Sequence, residues 1–386
     1  MIKLPPGLLE DFAGLIAIPT ISSIDPARDM SNREAIDLLA NRLDDLGFCV
    51  ETMPVADDPV KLNLIARLGE GENGLVLSGH IDTVPYDPSA WTQDPFVLAE
   101  KDDRLYGLGA ADMKCFFPLV IEVVRQLELK SPRQPLYVLA TADEESTMEG
   151  ARRLAGSGRT LGRHALIGEP TGLVPARMHK GIIMEAIRLS GRAGHSSDPS
   201  LGINALEGMH AVIGALMEWR DELQSRYRND RFSVPYPTLN FGSIHGGDNP
   251  NRICAECVLT IDLRLLPEME FDRVRSELHS RVGRAIEGSG LVLSCNALFN
   301  AIPGMQTDGD AEIVRLVEKL SGRAAGTVAF GTEGTYLNAM GMETVILGPG
   351  NIEQAHQADE FIPMEHLPPM MDILSRTIRH FCLEGR

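Results

Sequence analysis

This chain has little of what marks several whole classes of protein. Six cysteines are scattered over 386 residues, too few and too dispersed for the disulfide framework of a small secreted domain. Basic residues are outnumbered 36 to 54 by acidic ones, giving a formal net charge of −18; that balance disfavours binding to nucleic acid or to an anionic membrane. No apolar run is long enough to span a bilayer. The N-terminal stretch containing Leu8, Leu9, Phe12, Leu15 and Ile16 is interrupted by Glu10 and Asp11, so it reads as an amphipathic helix without a signal-peptide core. A cytoplasmic location is expected. No internal repeat or low-complexity linker is visible. Cys254 and Cys257 have CxxC spacing but fall in an alternating strand pattern, where positions three apart point to opposite faces. The Met364, Met370 and Met371 stretch reads as packing around a terminal helix.

What is present is a set of five short segments, each ending in metal-type side chains: Ser78-Gly79-His80-Ile81-Asp82, Gly109-Ala110-Ala111-Asp112-Met113-Lys114, Asp143-Glu144-Glu145, Gly168-Glu169-Pro170 and Ala355-His356-Gln357. Apolar runs of strand length precede four of them: Leu75 to Leu77, Leu136 to Ala140, Ala165 to Ile167, and Val345 to Leu347 somewhat before His356. Runs of this kind suit strands covered on both faces. In open α/β sheets, ligands bind at the carboxyl ends of such strands, so the acids and imidazoles are expected to converge there. One segment alone would read as a capped helix end or a solvated turn.

Two histidines with several carboxylates and no cysteine suit zinc, cobalt or manganese better than a structural thiolate site. A carboxylate that offers both oxygens can bridge two cations about 3.5–4 Å apart. Asp112 is the candidate bridge, because the glycines at 107 and 109 let its backbone approach closely. The competing reading of that stretch, a dinucleotide loop, lacks the third glycine and the strand-to-helix context.

The residues Gly79-His80-Ile81-Asp82-Thr83-Val84-Pro85, Gly107-Leu108-Gly109-Ala110-Ala111-Asp112-Met113-Lys114, Ala140-Thr141-Ala142-Asp143-Glu144-Glu145 and Ile167-Gly168-Glu169-Pro170-Thr171 resemble the signatures of the co-catalytic di-zinc deacylase and peptidase family, and the likeness runs nearly end to end. Position by position, the resemblance implies His80, Asp112 and Glu169 at one metal and Asp112, Glu145 and His356 at the other, with Glu144 as the general base. Asp82, two residues past His80, is expected to accept the imidazole's other N–H and fix its tautomer; an ordinary turn carboxylate is the plain alternative. His195 lies in the Gly-rich run Gly191 to Asp198. It is either an incidental residue of a capping loop or, as the resemblance implies, a donor to the oxyanion formed on an amide carbonyl. Family precedent places that histidine across a homodimer interface, in the partner's cleft.

The length exceeds what one core supports, so two domains are expected. Residues 1–178 and 297–386 read as two parts of one α/β/α catalytic domain, aminopeptidase-like in the resemblance. Residues 179–296 read as an inserted, smaller α/β two-layer sandwich that the resemblance makes a lid and dimerisation domain. Within the insert, Ile182 to Leu189 and Cys257 to Leu265 alternate like strands with one wet face. Helices are expected from Asn204 to about Leu223, with Leu206, Met209, Ile213, Leu216 and Met217 on the apolar stripe, and from about Phe271 to Ile286.

Substrate evidence is concentrated at Glu333, in Gly331-Thr332-Glu333-Gly334. An acidic side chain there can receive a cationic group such as the ammonium of ornithine, or it can be a surface acid in a loop. Together with His179-Lys180-Gly181 and Val234 to Asn240, this stretch resembles the family members that deacetylate N2-acetyl-L-ornithine. Lys180, Asn251, Arg264 and Thr332 correspond to positions that contact substrate in such members, and Arg suits bidentate carboxylate recognition. The competing expectations are a deacylase of another N-acyl amino acid, such as N-succinyl-diaminopimelate, and a metal-free relative acting as a binding protein.

Overall fold

The computed structural model describes residues 2–55 and 60–384. It divides into two compact units: Met1–Met178 with Gln306–Gly326 and Thr332–Arg386, and His179–Met305 with Thr327–Gly331. The return to the first unit falls at Gln306 and not near 297. The reason is local: Leu298 N–H donates to Met184 O, and Ile182 and Ile302 exchange backbone hydrogen bonds, so residues 298–302 continue the small sheet's edge.

The first unit is built on a mixed sheet of nine strands among the described residues. Its centre runs Leu62–Leu68, Leu136–Thr141, Leu75–His80, His164–Ile167 and Glu343–Ile346 in that order. The last four are parallel neighbours, so their carboxyl ends share one edge. Every residue of Leu75–His80, Leu136–Thr141 and His164–Ile167 is buried, as expected of strands with helices on both faces. On one face, Leu64, Leu77, Val138, Leu166 and Val345 join a core with Leu8, Phe12, Ile36, Phe116, Val120, Val317 and Leu374 from the surrounding helices. Residues of opposite parity, including Val76, Leu139, Ala165 and Ile346, are buried outside that core. Helix Gly334–Ala339 packs against Glu343–Ile346 and against helix Glu149–Gly156. The result is a three-layer α/β/α unit. Met364 and Met370 are buried in the main core beside the terminal helix Leu367–Ile378.

The second unit is a four-stranded antiparallel sheet ordered Thr238–Gly246, Glu256–Leu265, Gly181–Ser190, Val292–Ala297. Glu256–Leu265 alternates between buried positions and half-buried or exposed ones, which leaves one face for helices Ala205–Arg226 and Phe271–Ala285. The first of these helices starts one residue later than expected, because the Asn204 side chain accepts from Leu206 N–H as its cap. Its buried stripe is Ala205, Met209, Val212, Leu216, Trp219 and Leu223. Leu206 and Met217, expected on that stripe, are 42% and 44% exposed. Cys254 precedes the strand that carries Cys257 instead of sharing it. Both are free thiols. No helix among the described residues is long and apolar enough to cross a membrane.

Candidate metal centre

Four adjacent parallel strands aim their carboxyl ends at one place. His80 is the last residue of its strand, Glu144 and Glu145 follow Leu136–Thr141 in a turn, Glu169 follows His164–Ile167 by two residues, and His356 follows Glu343–Ile346 by a loop. Close packing constrains this rim. A Cβ on Gly168 would sit 2.2 Å from the Phe116 ring, so only glycine lets the chain turn there. Asp143 and His356 adopt left-handed φ values of 57° and 60°, sparsely populated for residues with a Cβ. The Asp112–Met113 peptide is cis.

Asp112 stands between the two histidines. Its Oδ1 is 3.2 Å from His80 Nε2 and its Oδ2 is 3.5 Å from His356 Nε2. His80 Nε2 also lies 3.5 Å from Glu169 Oε1 and 3.9 Å from Glu144 Oε2. His356 Nε2 is 3.1 Å from both oxygens of Glu145. Two overlapping triads of ligand-type atoms result, His80–Asp112–Glu145 and His80–Glu144–Glu169. His80 Nε2, Asp112 Oδ1, Glu144 Oε1 and Glu169 Oε1 are all buried without a hydrogen-bond partner among the described residues. Buried polar atoms are ordinarily paired, because leaving them bare costs desolvation energy. These four converge on the same space, and cations would satisfy them.

The electrostatics point the same way. Burial, reinforced by the negative neighbours, pushes the Glu144 carboxyl well above its ordinary value and raises Glu145, and it drives Glu169 up to about 8. Burial opposes charging His80, yet Asp112 and Glu169 raise it well above the imidazole range; hydrogen bonds to Asp112 and Glu145 lift His356 to about 10. Asp112 is held well below the carboxylate range, its burial outweighed by the two imidazoles. The cluster is short of positive charge, and divalent cations would provide it. The donor set, carboxylate and imidazole oxygens and nitrogens with no thiolate, fits zinc, cobalt or manganese.

Several neighbours differ from expectation or carry no sequence signal. His80 Nδ1 faces the Asp82 backbone carbonyl at 3.0 Å, while the Asp82 carboxylate is 3.8 Å away and accepts from Glu145 N–H at 3.0 Å. The main chain therefore fixes the His80 tautomer, and the Asp82 side chain holds the Glu144–Glu145 turn. Its strand has already ended at His80, which frees the Asp82 carbonyl for this contact. Glu333 is fully buried, so it is no surface acid. Ser78 Oγ donates to its Oε1 at 2.8 Å, and its Oε2 has no hydrogen-bond partner among the described residues. Thr332 Oγ1 caps the same turn by accepting from Gly334 N–H. Glu360 is a further positioning residue. Its carboxylate accepts from Gly109, Ala111 and Asp112 N–H at 2.8–3.0 Å and thus holds the loop that presents Asp112. No motif announces it, since it lies some 250 positions away and meets only backbone. Lys61, 2.7 Å from Asp143 Oδ1 and Asp29 Oδ1, anchors the turn before Glu144.

Lys180, His195, Asn251 and Arg264 belong to the second unit. Lys180 Nζ donates to Tyr236 O at 2.6 Å and lies 5.7 Å from the Phe232 ring centre. Arg264 Nε donates to Asp262 at 2.9 Å. Asn251 O accepts from Ser196 N–H, beside His195. His195 is exposed, and its Nδ1 accepts from Ser197 N–H at 3.2 Å. A ring nitrogen that accepts there leaves Nε2 of the neutral imidazole as the donor.

A three-layer α/β/α unit with a carboxylate set between two imidazoles at the strand ends is the arrangement of a metal-dependent hydrolase. The chain belongs to peptidase family M20/M25/M40, which its residues 76–380 match. It is 49% identical over 377 residues to the acetylornithine deacetylase of Pasteurella multocida strain Pm70, covering 98% of each chain. Among solved structures it is similar to an M20-family metallo-carboxypeptidase from Sulfolobus solfataricus, with a TM-score of 0.75, 16% identity and 98% and 99% of the two chains covered. It is also similar to a dinuclear metal-binding peptidase of the M20 family from Bacillus subtilis, with a TM-score of 0.67, 14% identity and 96% and 98% covered.

Proposed function

We propose that this chain hydrolyses N2-acetyl-L-ornithine to L-ornithine and acetate, a step of arginine biosynthesis. The observation that carries the reading is Asp112, whose two carboxylate oxygens face His80 and His356 separately inside a buried acidic cluster. The choice of substrate is supported by 49% identity to an acetylornithine deacetylase and by Glu333, a buried acid beside Ser78. His80, Asp112 and Glu169 would hold one divalent cation and Asp112, Glu145 and His356 the other, with zinc the preferred metal. Bound there, the pair supplies Lewis acidity to the amide carbonyl and lowers the pKa of water.

The rest is done by side chains. Glu144, with Oε1 buried and free of hydrogen bonds among the described residues, takes the proton of the attacking water and delivers it to the leaving nitrogen. Asp82 keeps the Glu144–Glu145 turn in place. Glu333 Oε2 receives the side-chain ammonium of ornithine. His195 donates Nε2–H to the oxyanion, and Lys180, Asn251, Arg264 and Thr332 bind the substrate's polar groups. Family precedent supports a homodimer in which His195 serves the partner subunit. The composition supports a cytoplasmic enzyme acting on a small molecule.

A panel of N-acyl amino acids, assayed with zinc or cobalt on the unaltered chain and on Glu333→Gln, tests this reading. N2-acetyl-L-ornithine should be the best substrate. Glu333→Gln should cost it roughly 10- to 150-fold more than it costs N-acetylnorvaline, the worth of one charge-assisted hydrogen bond. Preference for N-succinyl-diaminopimelate would reassign the substrate, and equal losses on both acetyl compounds would remove Glu333 from side-chain recognition.

A further inference from the structure

The second unit contains a buried acid outside the cluster described above. Glu185 lies midway along Gly181–Ser190, on the face that packs against the helices, among Ile183, Ile187 and Leu189, and is fully buried. Helix Phe271–Ala285 supplies two partners for its carboxylate. Arg275 Nε donates to Oε1 at 2.5 Å, and His279 Nε2 lies 2.7 Å from Oε2. The neighbouring edge strand Val292–Ala297 contributes a third group, Cys295, paired across the ladder with Ile187. The Cys295 sulfur, a His279 ring nitrogen and a Glu185 oxygen lie within 4.8 Å of one another.

Arg275 alone would neutralise a buried glutamate, which leaves the imidazole and the thiol beside the same carboxylate to be explained. We propose that Glu185, His279 and Cys295 form a binding site for a borderline divalent cation of the zinc class, separate from the acidic cluster of the first unit. Mixed oxygen, nitrogen and sulfur donors within this radius suit zinc better than calcium or magnesium, which take oxygen ligands. Three protein donors leave a fourth position for water, and His279, whose side chain is 38% exposed, opens that side to solvent. The cation takes the Nε2 lone pair of His279, whose one ring proton moves through solvent to Nδ1, and the thiol proton of Cys295 is released to solvent, so that a neutral imidazole, a carboxylate and a thiolate face the ion. Arg275 keeps Oε1 and orients the carboxylate, as outer partners of metal ligands do. The three donors come from a central strand, an edge strand and a helix, so an ion there clamps the unit and acts on its stability, not on the hydrolytic step.

The acidic cluster contains no sulfur ligand, so thiolate chemistry reports on the proposed site separately. Enzyme already carrying its catalytic metals is titrated with cobalt and followed by the sulfur-to-cobalt charge-transfer absorption. The expected result is a band of one thiolate per chain, abolished in Cys295→Ser, weakened at least about tenfold in affinity by His279→Gln, and unchanged in Cys254→Ser and Cys257→Ser. Deacylation by the Cys295→Ser chain should stay within about twofold of the unaltered enzyme. In the unaltered chain, zinc should slow alkylation of Cys295, read by peptide mass spectrometry, so the proposal does not depend on any variant folding. No thiolate band, a band that survives Cys295→Ser, or alkylation of Cys295 unaffected by saturating zinc would each overturn it.

Discussion

Asp112 and Glu144 share one acidic cluster but differ in where their oxygens point. Asp112 turns one oxygen to each imidazole, whereas the nearest Glu144 oxygen is 3.9 Å from His80 Nε2, farther than that of Asp112 or Glu169. This difference supports a base beside the metals in preference to a ligand. Glu144→Gln should therefore keep its metal content while turnover falls by at least about 10²-fold, the contribution of a positioned acid–base group. Stoichiometric loss of metal from that variant would make Glu144 a ligand. Glu333 shows what a sequence leaves open at this scale. A glycine-rich loop allowed either a surface acid or a pocket acid, and the complete burial of Glu333 beside Ser78, 255 positions earlier, excludes the surface reading.

Among the elements, the strands were readable because burial on both faces leaves uninterrupted apolar runs, and His80, Glu144, Glu145 and Glu169 sit shortly after those runs. The long helix of the second unit was less readable. Its stripe includes Trp219 and Val212 but not Leu206 or Met217, since several apolar residues flank the true face and periodicity alone does not separate them. Contacts between a side chain and a distant backbone left no trace in the pattern, and Glu360 is the clearest case. Two of its three hydrogen bonds converge on Oε1, from Ala111 and Asp112, and the third, from Gly109, reaches Oε2. In Glu360→Gln an amide N–H must face one of these donors. The variant should lose about 10- to 100-fold in metal affinity although Glu360 touches no metal, measurable by competition with a chelating dye. Unchanged affinity would show that the Gly109–Asp112 loop holds its shape without this acid.

At the scale of the whole molecule, the first unit contains the acidic cluster and the second presents the exposed His195 imidazole. If His195 serves the partner subunit, the inactive variants His195→Ala and Glu144→Ala should complement each other under subunit exchange. Half of the dimers would then be mixed, each with one working site of two, so activity should return to roughly a quarter of the unaltered level. Mixed dimers without recovery would place His195 in its own chain's cleft or outside the reaction. The central claim is that Asp112 joins two metals for hydrolysis of N2-acetyl-L-ornithine, and stepwise metal restoration tests it most directly. Metal-depleted chain carrying Cys295→Ser, which removes the proposed site of the second unit, is given zinc in measured equivalents while hydrolysis of N2-acetyl-L-ornithine and bound metal are followed together. The account predicts no turnover without metal and saturation at about two bound ions per chain, with both ions weakened in the same protein bearing Asp112→Ala. Undiminished hydrolysis by the metal-free chain, or full retention of two ions after Asp112→Ala, would contradict it.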